Sequence, residues 1–139
     1  MSQENVEIVR AYVEAFNAED TEALLELCDP EVEVDWSRSR GLEARIYRGR
    51  EAVRGFWNTF FQTFDRVTVF PDEFIECGEH VVVPNRAHFW GRDGVKVEAR
   101  SVLVWTLRKG RTVEHRLYQE RAEALEAVGL SEQDAHADS

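Results

Sequence analysis

Three side chains in this sequence are of a type and setting to hold or move a proton: Tyr12, Asp35 and His115. Tyr12 stands in AYVEAF, between apolar residues at helical spacing. A tyrosine buried there needs a partner for its hydroxyl, either a pocket ligand or a structural group. Asp35 ends the run EVEVD and would serve as a general base, its pKa raised by apolar neighbours such as Trp36. Strict alternation argues the other way. Val32, Val34 and Trp36 share one side and Glu31, Glu33 and Asp35 the other, so a bulge or twist at the strand end is needed to turn Asp35 inward. His115, in TVEHRLY, shares a face with Val113 and Leu117, where a polar group is costly unless used. Paired with Asp35 it would act as acid or base near neutral pH; a satisfied core histidine is the alternative.

Further polar candidates lie in NRAHFW, and the turn that follows decides which of them face inward. A two-residue Asp93-Gly94 turn pairs Trp90 with Val97, His88 with Ala99 and Arg86 with Ser101. Val97, Ala99, Leu103, Trp105 and Leu107 form the apolar face, so this register sets Arg86, His88, Trp90 and Ser101 toward the interior. It is the preferred reading. A slip of one residue sets Asn85, Ala87 and Phe89 there instead. His88, His115 and Asp35 lack the HxH or HxxxH spacing of a metal site, so neither metal nor cofactor is expected. No glycine-rich phosphate loop, GxSxG elbow or Cys/His nucleophile pairing is present.

The elements that must position these residues follow from hydrophobic period. Ser2 is a fair N-cap for a helix with Val6, Val9, Tyr12, Val13 and Phe16 on one face. Thr21 caps a second, short helix that ends at Asp29-Pro30. Glu31 to Trp36 alternates as a strand; Ser37 to Arg48 is polar and reads as a loop over an opening. Glu51 to Phe64 makes a third helix carrying Val53, Phe56, Trp57, Phe60, Phe61 and Phe64, aromatic mass enough for a wall packed on a sheet. Then come strands: Val67 to Cys77, an edge because of Pro71; His80 to Trp90; Val95 to Leu107; and Arg111 to Gln119. A short helix, Ala122 to Val128, ends at Gly129. The pattern is α+β: a cone-shaped, curved, mostly antiparallel sheet of about five to six strands. Three helices from the N-terminal half lie over its concave face and enclose a pocket. Residues 1–130 read as one domain and 131–139 as a polar tail.

Composition bounds the partners. The chain has 139 residues, 17 basic against 27 acidic, and a formal net charge of -10. That balance argues against nucleic acid and anionic membranes, which reward clustered Lys and Arg. Cys28 and Cys77 sit in unrelated contexts and read as free intracellular thiols. With no signal peptide or membrane-length apolar run, the expected location is the cytoplasm.

The segments AYVEAFNAED, LCDPEVEVDW, IYRGREAVRGFW and VWTLRKGRTVEHRLY resemble the nuclear transport factor 2-like superfamily, in particular its SnoaL-like and ketosteroid-isomerase-like members. The likeness runs from about Asn5 to Gly129. It implies the cone fold and, in the isomerases, a catalytic tyrosine and aspartate, onto which Tyr12 and Asp35 fall. Leu103 occupies the place of the isomerases' second, protonated aspartate, and Trp36 that of the proline after the first. Loss of one oxyanion donor typically costs about 2.7–4 kcal/mol, so a steroid isomerase is not expected. The resemblance also implies a homodimer paired through the outer sheet face, here Val102, Val104, Glu114, Arg116 and Tyr118.

Two functions follow as expectations. One is a cofactor-free acid/base enzyme of isomerase, cyclase or dehydratase type acting on a small apolar or aromatic molecule. Asp35, Tyr12 and His115 would be catalytic, and Phe16, Trp36, Trp57, Phe60, Arg86, His88, Trp90, Ser101 and Trp105 would line the pocket. The other is a non-catalytic small-molecule-binding or dimerisation module of the same fold.

Overall fold

The structure is a computed structural model that describes residues 2–40 and 44–131, with side chains from Glu4 onward. Capping by the Ser2 side chain and the polar tail past Ser131 lie outside the described residues. Helix α1 (Ser2–Asn17) and helix α2 (Thr21–Glu26) lead into strand β1 (Cys28–Asp35). Strand β2 (Ile46–Arg48), helix α3 (Arg50–Thr63), β3 (Arg66–Pro71) and β4 (Ile75–Cys77) follow. Last come β5 (His80–Trp90), β6 (Lys96–Arg108), β7 (Arg111–Tyr118) and helix α4 (Arg121–Ala127). The strands form one curved, unclosed sheet in the order β2-β1-β7-β6-β5-β3, with β4 also on β5. Only β1 and β7 run parallel; the other pairings are antiparallel. This is the expected α+β cone.

Seven strands replace the expected five to six, for two local reasons. Tyr47 breaks the polar run after Trp36, is buried and stacks on Phe56, so Ile46–Arg48 pairs with the end of β1. The Val67–Cys77 edge divides at Pro71, and its two halves pair with different ends of β5. Capping also differs at α2: Asp20 is the N-cap and accepts from Ala23 N at 3.1 Å, while Thr21 bonds Asn58 on α3 at 2.7 Å. Asp has the stronger side-chain acceptor for the free amides of a first turn.

The β5–β6 register corrects the two-residue turn. Trp90 pairs with Lys96, His88 with Glu98 and Arg86 with Arg100, so residues 91–95 form a wider loop. Gly91 N bonds Val95 O at 2.8 Å, and the Asp93 carboxylate accepts from Val95 N at 3.1 Å. The side chain thereby supplies the turn bond that a tight Asp-Gly hairpin would draw from the ladder. Asn85, Ala87 and Phe89 consequently share the concave face with Ser101, Ala99 and Val97, and Arg86, His88 and Trp90 are convex.

Helices α1 and α3 cover the concave face. Val9, Tyr12, Val13 and Phe16 from α1 meet Val53, Phe56, Trp57 and Phe60 from α3 over Val34, Leu103, Trp105 and Leu117 of the sheet. Helix α4 covers the convex face with Ala124, Leu125 and Val128 on Val82, Val102, Val104 and Tyr118. It ends in a Schellman motif: Leu130 N bonds Leu125 O, Gly129 N bonds Glu126 O, and Gly129 takes φ 84°. Three residues of the surface expected to pair two copies, Val102, Val104 and Tyr118, are therefore already buried within one chain.

Candidate functional site

Between the helices and the concave sheet lies a cavity of about 1050 Å³. Its deep wall is aromatic because the amphipathic faces of α1 and α3 carry rings at helical spacing, and the alternation of β6 and β7 turns Trp105 and His115 toward them. Tyr12, Trp57, Trp105 and His115 are each at most 1% exposed. The His115 imidazole stacks on Trp105 at 4.5 Å between centroids, and Tyr12 meets both rings at 5.3 Å. Trp36 packs edge-on against Trp57 at 5.5 Å. Toward the opening, Val95 and Val97 are 57% and 54% exposed. The carboxylates that line the cavity, Asp93, Glu98 and Glu120, are on exposed residues as well.

Polar satisfaction separates this wall from an ordinary core. The hydroxyl of Tyr12, the indole N–H groups of Trp36, Trp57 and Trp105, and Nδ1 of His115 are all buried without a hydrogen-bond partner. Each such group costs about 1–3 kcal/mol when desolvated and unmatched. Burial, with a smaller contribution from the Cys28 thiol, holds the Tyr12 phenol well above its usual range, so it stays a donor. The Trp57 N–H is near enough to oppose that rise without completing a well-formed bond. Burial also pushes His115 down to about 3, with the Val104 backbone opposing, so the imidazole is neutral at neutral pH. Further along, Asn85 bonds Ser101 O at 3.2 Å and Ser101 Oγ at 3.3 Å, a polar pair on an otherwise apolar floor.

The residues expected at a site divide cleanly. Tyr12, Phe16, Trp36, Trp57, Phe60, Ser101, Trp105 and His115 line the cavity. Asp35 does not. It lies across from Arg116 on the convex face, and its Oδ1 accepts from Ser37 N at 3.0 Å and Ser37 Oγ at 2.6 Å. Arg38 stands 3.5 Å from its other oxygen. The strand keeps its alternation to the end, so no bulge turns the carboxylate inward; Trp36 takes that place. Arg86, His88 and Trp90 are likewise outside: Arg86 pairs with Asp72 at 3.1 Å, His88 with Glu98 at 2.8 Å, and Trp90 packs under Arg66. Asn85 and Phe89 are the inward residues that the two-residue turn passed over. The signal for them was the alternative register, in which the ring of Phe89 continues the aromatic wall. Among the described residues, no three His, Cys, Asp or Glu side chains gather as a metal-binding group.

What such a wall can do chemically is narrow. A phenol and three indoles donate, a neutral imidazole donates or accepts, and no carboxylate stands with them. The arrangement suits an acceptor oxygen on a molecule otherwise held by rings.

Comparison with known proteins agrees with this architecture. No curated protein sequence matches the chain. Among solved structures, an NTF2-like protein of unknown function from Burkholderia pseudomallei is 26% identical, with TM-score 0.75, over 91% of this chain and 98% of its own. The epoxide hydrolase/cyclase-like enzyme SalBIII, of pyran ring formation in the polyether salinomycin, is 22% identical with TM-score 0.73, covering 86% and 92%. Rv0760c from Mycobacterium tuberculosis, in complex with estradiol-17beta-hemisuccinate, is 20% identical with TM-score 0.75, covering 85% and 95%. The family model of the SnoaL-like domain matches residues 9–115, most of the chain and at least part of each helix and strand that lines the cavity. This chain belongs to the SnoaL-like domain family.

Proposed function

We propose that the cavity binds a small, largely apolar, ring-containing molecule and holds one of its acceptor oxygens at the deep wall. The observation that carries this reading is the convergence of five residues with unpartnered buried polar atoms on one cavity. Such groups cost stability in the empty cavity, and a ligand oxygen recovers that cost on binding. The estradiol-17beta-hemisuccinate complex of Rv0760c, a molecule with both rings and oxygens, supports it by analogy of fold. A matched ligand pair tests it, read by quenching of the cavity tryptophans: 9-fluorenone against fluorene. The ketone binds more tightly by about tenfold, or about 1.4 kcal/mol. Equal affinities would remove the role of the donors, and absence of binding to either would remove the pocket reading for this ligand size.

A second reading, cofactor-free acid/base catalysis of the isomerase, cyclase or dehydratase type, is favoured by the contact of Tyr12 with His115 on the same wall. In it Tyr12 polarises a ligand carbonyl and neutral His115 takes up or relays the proton. Asp35 has no part, because its carboxylate is engaged with Ser37 and Arg38 away from the cavity. Exchange of the α-protons of α-tetralone in deuterium oxide is the test. Exchange above the buffer rate that disappears in His115→Gln supports catalysis, and no acceleration leaves a binding protein.

A further inference from the structure

A second cavity, of about 600 Å³, lies at the start of β1 and is lined by Arg50, Arg108, Lys109 and Arg111, with Asp29 the sole carboxylate among its lining residues. Four cations on one cavity stand out in a chain whose formal net charge is -10. Among the described residues, Arg50, Lys109 and Arg111 have no carboxylate partner. Arg50 Nη2 donates to Cys28 O, and Arg111 Nη1 donates to Glu26 O at 3.2 Å and Cys28 O at 3.4 Å. Both guanidinium groups are thus fixed in place by backbone carbonyls, which orient them without cancelling their charge. The Nε of Arg50 is buried and has no partner. Lys109 has no ion pair among the described residues; it sits at the β6–β7 turn with φ 53°, beside Gly110 at 76°. Arg108 pairs with Glu79 at 2.9 Å on an exposed surface, where such a pair is weak and easily exchanged. Asp29 is turned to its own turn, accepting from Glu31 N at 2.9 Å.

We infer that this cavity is a binding site for a phosphate-type oxyanion, separate from the apolar cavity and independent of its function. Fixed guanidinium groups, an unpaired ammonium and a buried donor awaiting an acceptor are the parts that bind tetrahedral oxyanions. Arg50 opens α3, whose Gly49 cap offers no side-chain acceptor to the first-turn amides, so the end of the helix adds to the same field. The anion bridges the start of α3 to the β6–β7 turn and thereby stabilises the fold. The ligand is free phosphate or the phosphate group of a small ester, and the cavity is wide enough for either.

The experiment is thermal unfolding of the full chain at pH 7 in sodium phosphate, in sodium phenyl phosphate and in sodium chloride at matched ionic strength. The expected result is a saturable rise in Tm with at least one phosphate species and none with chloride. The half-saturating concentration should rise by at least about tenfold in the double variant Arg108→Gln/Lys109→Asn, which removes two of the four cations. Both positions are exposed, and asparagine tolerates the positive φ at 109. Tighter binding of phenyl phosphate identifies an ester as the ligand, and equal binding identifies the free anion. A rise shared by chloride, a response unchanged in the double variant, or no response to either phosphate overturns the assignment.

Discussion

Tyrosine and histidine occur on both sides of the sheet in opposite circumstances. On the convex face, the Tyr118 hydroxyl accepts from Arg116 at 2.8 Å, and His80 Nδ1 pairs with Thr106 Oγ1 at 2.9 Å. On the concave face, the Tyr12 hydroxyl and His115 Nδ1 have no partner and are more deeply buried. The convex apolar surface is filled by α4, whereas the concave one borders a cavity. The Tyr118 hydroxyl and the His80 imidazole therefore contribute to stability, and those of Tyr12 and His115 are held against it. Where a fold leaves buried donors unmatched beside a cavity, those donors are positioned for something the cavity receives.

The largest effect that sharpens this contrast is expected on the convex face. Leu125→Ala truncates a fully buried side chain on the inner face of α4 and should cost about 2–5 kcal/mol in chemical denaturation. The affinity of the folded protein for 9-fluorenone should not change, and a change there would mean that the two faces are coupled.

Next in size is the response to acid. The His115 imidazole, at about 3 in the folded chain against 6.5 when free, binds fewer protons folded than unfolded between those values. Its contribution to stability is complete above pH 6.5 and is lost as pH falls toward 3, by about 1.4 kcal/mol per pH unit at most. His115→Gln should flatten that part of the stability curve relative to the parent. His80, half-buried and lowered less, should contribute a shallower slope in the same direction. Equal slopes for the two histidines would erase the difference between the faces.

The tyrosine pair is subtler. Tyr12→Phe removes an unmatched hydroxyl and should be neutral or stabilising by up to about 1 kcal/mol, whereas Tyr118→Phe breaks a made bond and should cost about 1 kcal/mol. Equal losses in the two variants would break the comparison. Smallest of all is Asp35→Asn. Its partners are local and near the surface, so unfolding free energy should move by less than about 1 kcal/mol and ligand affinity not at all. A large loss of affinity would return Asp35 to the site.

Much of the cavity wall was legible from period alone. Helical spacing put Tyr12, Phe16, Trp57 and Phe60 on inward faces, and alternation in TVEHRLY put His115 with Leu117. Alternation also placed Asp35 outward, against the resemblance to the isomerases; the local rule was the better guide because no bulge interrupts the end of β1. The facing of the NRAHFW strand depends on the number of residues in a loop, and Asp-Gly occurs in both tight and wide turns, so the sequence leaves it open. The orphaned state of the donors was not legible at all, since a partner for a buried hydroxyl comes from elements distant in the chain.

By itself, then, the sequence determined the order of the elements, the α+β class and the aromatic, inward character of α1, α3, β6 and β7. These are consequences of a side-chain period that each segment carries within itself. Only the tertiary structure decided the β5–β6 register, the burial of the outer sheet face under α4, and the gathering of five unmatched polar residues around one cavity. Register follows from how a loop closes, and satisfaction follows from which groups meet across the fold, and neither is a property of any single stretch of chain.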